Sequence, residues 1–199
     1  MKLETERLVL RPVKEADVPF LFPLINDIEV ARNMRAVPHP YPKKRLFEWI
    51  RSAREAMFNK SALEMAVVLR ENGCPIGVCA LNRIDWDVKS AEIGYWLGRQ
   101  YWGCGYMTEA VKAMVYLAFA YLGLERIYAY CLEHNIASIR VLKKAGLRYE
   151  EVAEDLMDEE QGHLHLLRFG ILKHCYQVDS YGPKWCSVEG VDEWLTAET

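Results

Sequence analysis

Apolar positions along this chain fall into two periods, and the switches between them mark its elements. Between Glu6 and Arg11 apolar and polar residues alternate up to Pro12, the pattern of a first strand with one buried face. From Asp17 to Asn26 the apolar residues Val18, Leu21, Phe22, Leu24 and Ile25 recur at helical spacing; Pro19 suits the first turn, and Pro23 should kink or shorten the helix. The prolines at 38, 40 and 42 rule out regular structure over Val37–Pro42 and predict an exposed, semi-rigid loop. Lys43 to Asn59 returns to the helical period through Leu46, Phe47, Trp49, Ile50, Ala53, Met57 and Phe58.

Leu63–Arg70, Ile76–Ile84 and Lys89–Leu97 are strand-like, and the Asn72-Gly73 pair between the first two is a hairpin signal, so the three predict an antiparallel meander. A helix follows with apolar Met107, Val111, Met114, Val115, Ala118 and Tyr121. Arg126–Cys131 reads as another strand, Ile136–Ala145 as another helix, and Tyr149–Leu156 with His163–Leu172 as a last strand pair turning at Glu159–Gly162. No repeat or linker interrupts this order, which describes one mixed α/β domain.

Two connections carry more than turn chemistry. Gly103 and Gly105 lie between a strand end and a helix start, in Arg99-Gln100-Tyr101-Trp102-Gly103-Cys104-Gly105-Tyr106-Met107-Thr108-Glu109-Ala110. Glycines so placed let the main chain turn sharply and aim unpaired N–H groups at one point, where the positive end of the helix dipole also lies. Such a loop suits a phosphate. It has neither the Lys-Ser or Lys-Thr of a Walker loop nor the third glycine of a dinucleotide fold. In the second connection, Asn135 is placed to cap a helix and Gly146 to end it.

The pattern Gln100-x-x-Gly103-x-Gly105 resembles the acyl-CoA pyrophosphate signature of the GNAT superfamily of N-acyltransferases. The run Trp102–Ala110 is similar to that family's Rim-type branch of ribosomal-protein N-terminal acetyltransferases, as are Thr5–Pro12 and Asp27–Val30. Asn135-x-x-Ser138 with Gly146-Leu147 resembles the family's second cofactor motif, in which a helix meets the pantetheine arm and presents a hydroxyl to the CoA sulfur. The resemblance covers residues 3–175. It implies a GNAT-like single domain over 1–175, with a central, mostly antiparallel twisted sheet of about six to seven strands flanked by helices. Residues 176–199, with Tyr176, Tyr181, Trp185 and Trp194, form an aromatic extension expected to dock on the domain or on a second subunit.

The implied donor is acetyl-CoA and the implied acceptor a primary amine, with no metal. The resemblance assigns cofactor contacts to Gln100, Tyr101, Trp102, Gly103, Cys104, Gly105, Tyr106 and Met107, and to Asn135, Ser138, Arg140 and Lys143. Backbone groups freed where the strand at Tyr95, Trp96 and Leu97 splays from its neighbour would serve the oxyanion. Many relatives protonate the leaving thiolate with a tyrosine where this chain has Leu142, which leaves Ser138 as the candidate acid; its bland alternative is a helix serine bonded to its own turn. Glu92 is the candidate base, directly or through water, and its alternative is a solvent-facing strand residue. Glu109 is read as a first-turn acid stabilised by the helix dipole. His134, His163 and His165 share no spacing and stay outside the catalytic set. His39 and Tyr41 are candidate acceptor contacts, because in this family the region before the second strand often walls the acceptor site.

Composition narrows the setting. With 199 residues, 51% hydrophobic and 27% charged, the chain can bury a core without staples, and a net charge of −3 gives no basic footprint for nucleic acid. The six cysteines are scattered singly, which predicts reduced thiols rather than a zinc site. Neither a signal-peptide core nor a membrane-length apolar run is visible, so a cytoplasmic monomer or homodimer is expected. Two readings compete with the enzyme: a non-catalytic acyl-CoA sensor that keeps the cofactor motifs, and an interaction protein that keeps only the fold.

Overall fold

The computed structural model describes residues 1–34, 37–158 and 162–197. Strands β1 (Lys2–Thr5), β2 (Leu8–Pro12), β3 (Leu63–Leu69), β4 (Pro75–Asp85), β5 (Ser90–Leu97), β6 (Arg126–Leu132), β7 (Arg148–Asp158), β8 (Gly162–Leu172) and β9 (Cys186–Glu189) form one sheet, ordered β7-β8-β6-β5-β4-β3-β2-β1-β9. Every pairing is antiparallel except that of β5 with β6. The helices are α1 (Val18–Ile25), α2 (Ile28–Ala31), α3 (Lys43–Phe58), α4 (Tyr106–Ala120), α5 (Ile136–Lys144), α6 (Val178–Tyr181) and α7 (Val191–Thr196).

The alternation of side chains along a strand sorts the core into two layers. In β3, Leu63, Met65, Val67 and Leu69 join α4 residues such as Val111 and Met114, while Ala66 and Val68 join Leu21 of α1 and Leu46 and Ile50 of α3. Burial on both faces is why β3 reads as a continuous apolar run. α4 is nearly apolar all round because the sheet, α5 and the extension cover it, and each of its fully buried Val or Met side chains contributes about 1.5–3 kcal/mol. The expected helices appear within a residue or two of their predicted bounds, and Pro23 lies inside α1, which ends at Ile25.

The sheet has nine strands, not six to seven, for two reasons. The opening strand is broken at Glu6-Arg7: the Leu8 amide bonds Thr5 Oγ1 at 3.2 Å, the Arg7 amide bonds Glu109 Oε1 at 2.9 Å, and the Arg7 carbonyl accepts from the Arg70 amide at 2.9 Å. That kink sends Lys2–Thr5 outward as a separate strand beyond β2. The second addition is β9, contributed by the extension, which pairs with β1 from Lys2↔Glu189 to Thr5↔Cys186. After it, Trp194 is 8% exposed and donates its indole N–H to the Met57 carbonyl at 2.8 Å, which ties the extension to α3 of the same chain.

The loop at 37–42 is not exposed throughout, contrary to its proline content, because the Tyr41 ring is buried among α1 and α3 side chains. The turn expected at Glu159–Gly162 falls mostly on 159–161, outside the described residues. All six cysteines are free thiols. Among the described residues no helix is long and apolar enough to cross a membrane.

Candidate active site

β5 and β6 run in register only at Ser90↔Arg126, Ala91↔Ile127 and Glu92↔Tyr128. Beyond Glu92, β5 stays with β4 as far as Gly77↔Leu97 and β6 stays with β8 as far as Leu132↔Leu166, so a cleft opens between the two parallel strands. Along Ile93–Leu97 the backbone groups that face the cleft have no neighbouring strand to bond. The cleft leads to the glycine loop. Gly103 has φ 78 and Gly105 φ 80, and Gly105 is the N-cap of α4. Gln100 and Cys104 are exposed, Tyr101 and Tyr106 half-buried, and the Trp102 indole donates to the Leu97 carbonyl at 2.7 Å, tethering the loop to the strand end.

Glu109 does more than meet a helix dipole. It accepts from Thr5 Oγ1 at 2.6 Å and from the Arg7 amide and Nε at 2.9 and 2.7 Å, while Arg7 Nη1 donates to the Cys104 carbonyl at 2.9 Å. The Arg7 guanidinium also lies 4.6 Å from the centroid of the Tyr106 ring. Glu109 thus clamps the β1–β2 turn onto the glycine loop. Met107 and Trp96 are 6% and 8% exposed with their side chains in the core, so each offers the cleft only its backbone.

Asn135 Oδ1 accepts from the Ser138 amide at 3.0 Å, the cap its sequence position predicts, and Gly146 closes the helix with φ 93. Ser138 Oγ lies 2.9 Å from the Tyr95 hydroxyl, which also donates to the Ser138 carbonyl at 3.2 Å. Burial pushes the Tyr95 phenol far above its ordinary value despite that hydrogen bond, so it stays a neutral donor. The neighbouring Cys131 thiol is raised by burial too, with Ser138 pulling the other way. Leu142 is fully buried in the core, and Arg140 and Lys143 are exposed on the outer side of α5. The side chain of Tyr95 was not anticipated as a partner of Ser138. The available signal was parity, since Tyr95 shares a face with Ile93 and Leu97, which pack with α5 residues in the same layer.

The opposite face of β5 carries Glu92, whose carboxylate lies 3.7 Å from Arg83 Nε, at the last paired position before the cleft. Glu64 on β3 shares that face, and no sequence motif identified it; the signal was a lone carboxylate inside an apolar run. In register it lies level with Ala80 of β4 and Gly94 of β5, and the Asn82 side chain comes within 3.3 Å of the Cβ position of Gly94. Burial pushes its carboxyl up to about 7, outweighing the hydrogen bond from Trp49. His39 Nε2 and the Asn26 carbonyl are 3.1 Å apart, and Asn26 Oδ1 accepts from the Tyr41 amide at 2.7 Å, which fixes the loop beside α1. Of the remaining histidines, His134 is exposed, the His165 amide donates to Glu133 at 3.0 Å, and the side chain of His163 lies outside the described residues.

Glu64 carries a stability signature. Its native value of about 7 lies above the ordinary 4.5, so between those values the native state keeps a proton that the unfolded chain has released. Stability therefore falls as pH rises through that window. Denaturant unfolding of the native chain should lose about 3 kcal/mol relative to Glu64→Gln between pH 4 and pH 8. Parallel pH profiles for the two proteins would refute the assignment.

The family model described as an acetyltransferase (GNAT) domain matches residues 7–148. The uncharacterized N-acetyltransferase p20 of Bacillus licheniformis is 32% identical over 181 residues, which span 87% of this chain and 97% of that protein. Among solved structures, the ribosomal-protein-S5-alanine acetyltransferase of Vibrio fischeri superposes with a TM-score of 0.76 at 20% identity, covering 92% of this chain and 100% of that one. The spermidine N-acetyltransferase of Vibrio cholerae, solved with CoA and spermine, gives a TM-score of 0.71 at 20% identity over 85% of this chain and 97% of its own.

Proposed function

The chain belongs to the GNAT family of acetyltransferases, and from that premise we propose that it passes an acetyl group from acetyl-CoA to a primary amine by direct attack in a ternary complex. The acceptor is a protein or peptide N-terminal amine, or a small amine of similar basicity. The observation that carries this reading is the cleft beyond Glu92, with the Ser138–Tyr95 hydroxyl pair on one face of β5 and the Glu92 and Glu64 carboxyls on the other.

The two faces divide the work. An acceptor ammonium gives up one proton to reach the nucleophilic amine, then attacks the thioester carbonyl, whose oxygen meets cleft-facing backbone N–H groups of β5. Collapse expels the thiolate, which takes a proton, while the new amide nitrogen releases one. Glu92 at the apex of the cleft accepts from the amine, directly or through water, and Ser138, held by Tyr95, donates toward sulfur. The products are the acetylated amine, CoA thiol and one proton to solvent.

An α-amine has a pKa of about 7.7–8.0 and a lysine side chain about 10.4. A carboxylate acting through water suffices for the first. CoA release measured with a panel of acceptors should therefore be faster with N-terminal peptides or low-pKa amino-compounds than with a lysine whose α-amine is blocked. A preference for the blocked lysine would overturn this reading. The Vibrio fischeri relative is named for a ribosomal protein and the Vibrio cholerae one for spermidine, so the panel should hold both peptides and polyamines.

A further inference from the structure

A cavity of about 470 Å³ opens beside the glycine loop. Its walls come from four places: Arg7 on the β1–β2 turn, Gly105 at the start of α4 with Lys112 further along it, Lys144 at the end of α5, and Lys184 with Trp185 from the extension. The extension is firmly seated there. Tyr181 packs over Gly146, where a Cβ would come within 2.7 Å of its ring, Lys112 Nζ donates to the Ser180 carbonyl at 3.5 Å, and the Arg70 guanidinium lies 5.4 Å from the centroid of the Trp185 ring.

The cavity gathers positive charge. Arg7 is committed to Glu109, which leaves three lysines against Glu6, and no ion pair among the described residues holds Lys112, Lys144 or Lys184. Burial and the nearby Lys144 ammonium lower the Lys112 pKa, so an anion placed between them would relieve a strain on the charged form. Gly105 belongs both to this cavity and to the glycine loop at the start of α4. A ligand whose diphosphate sits on that loop can extend straight into the cavity.

We propose that the extension completes a subsite for the 3′-phosphorylated adenosine end of CoA, with the phosphate monoester among Lys112, Lys144 and Lys184 and the adenine against Trp185. This rests on the loop binding the CoA diphosphate, as in the proposed function. A phosphate monoester carries a charge of about −1.5 to −2 at pH 7 and matches three ammonium groups better than a single carboxylate does. Trp185 is 48% exposed with its ring position set by Arg70, a preformed stacking surface. Lys184 and Trp185 lie beyond the residues that match the family model, so this wall is a feature of the chain's own C-terminal segment.

Calorimetric titration of the full chain with CoA and with 3′-dephospho-CoA tests it. The native chain should favour CoA by about tenfold or more, and Lys184→Ala should shrink that ratio several-fold by weakening CoA alone. Trp185→Ala should weaken both ligands equally. Equal affinity of the native chain for both, or an unchanged ratio in Lys184→Ala, overturns this proposal while leaving the loop assignment intact. Failure of the native chain to bind either overturns the loop assignment and this proposal with it.

Discussion

Gly105→Val should abolish the stabilisation that acetyl-CoA gives the native chain, about 2.7 kcal/mol at a hundred times its Kd. Gly105 holds φ 80 as the N-cap of α4, a conformation in which a β-branched residue is an outlier, and its Cβ would face Arg7 Nη2 at 3.5 Å. The valine forces the loop to another path and so re-aims the N–H groups that the proposed donor site relies on. Gly103→Ala is the gentler companion: no atom lies within 4 Å of its Cβ position, so only the left-handed φ of 78 is penalised, by about 1–2 kcal/mol. Circular dichroism would establish folding, and unfolding curves with and without acetyl-CoA would read the shift. Folded variants that keep the full shift would remove the loop from the donor site.

The second large effect belongs to Ser138. Ser138→Ala should lower turnover by about 10²-fold or more and leave acetyl-CoA affinity nearly unchanged, because in the proposed mechanism the hydroxyl acts on the leaving sulfur rather than on the bound ground state. Tyr95→Phe should lower turnover by about tenfold, since it keeps Ser138 but removes the hydroxyl 2.9 Å away that orients it. The pair separates a proton donor from a helix serine bonded to its own turn. Normal turnover in Ser138→Ala, with normal affinity, would return Ser138 to that second role.

The sequence made most of the fold legible where periodicity was long and both partners were local. The β3–β4–β5 meander, α3, α4 and α5 follow from apolar spacing, Asn72-Gly73 and the Asn135 cap. What it hid depended on distant pairing. β1 is separated from β2 at a kink that the distant Glu109, 102 residues on, and Arg70 hold by bonding the Arg7 backbone. β9 is a strand because β1 leaves an edge for it; Cys186-Ser187-Val188-Glu189 alternates apolar and polar, but over only 4 residues, too short a run to mark a strand by itself. The glycine loop was readable as local turn chemistry, whereas the Tyr95–Ser138 contact joins residues 43 apart and needed the sheet. Glu64 stood in plain view as a charge in an apolar run, but its elevated proton affinity comes from the packing of α3, which no local pattern reports.

The place of β9 also bears on how a nascent chain matures. Vectorial synthesis delivers β1 first and β2 soon after, yet the other neighbour of β1 emerges from the ribosome only after every other strand of the sheet. Throughout that interval the outer backbone groups of Lys2–Thr5 are unpaired, an open template for any extended segment nearby. Chains that end before residue 186 would keep that template exposed, and chaperones should capture them more than they capture the full chain.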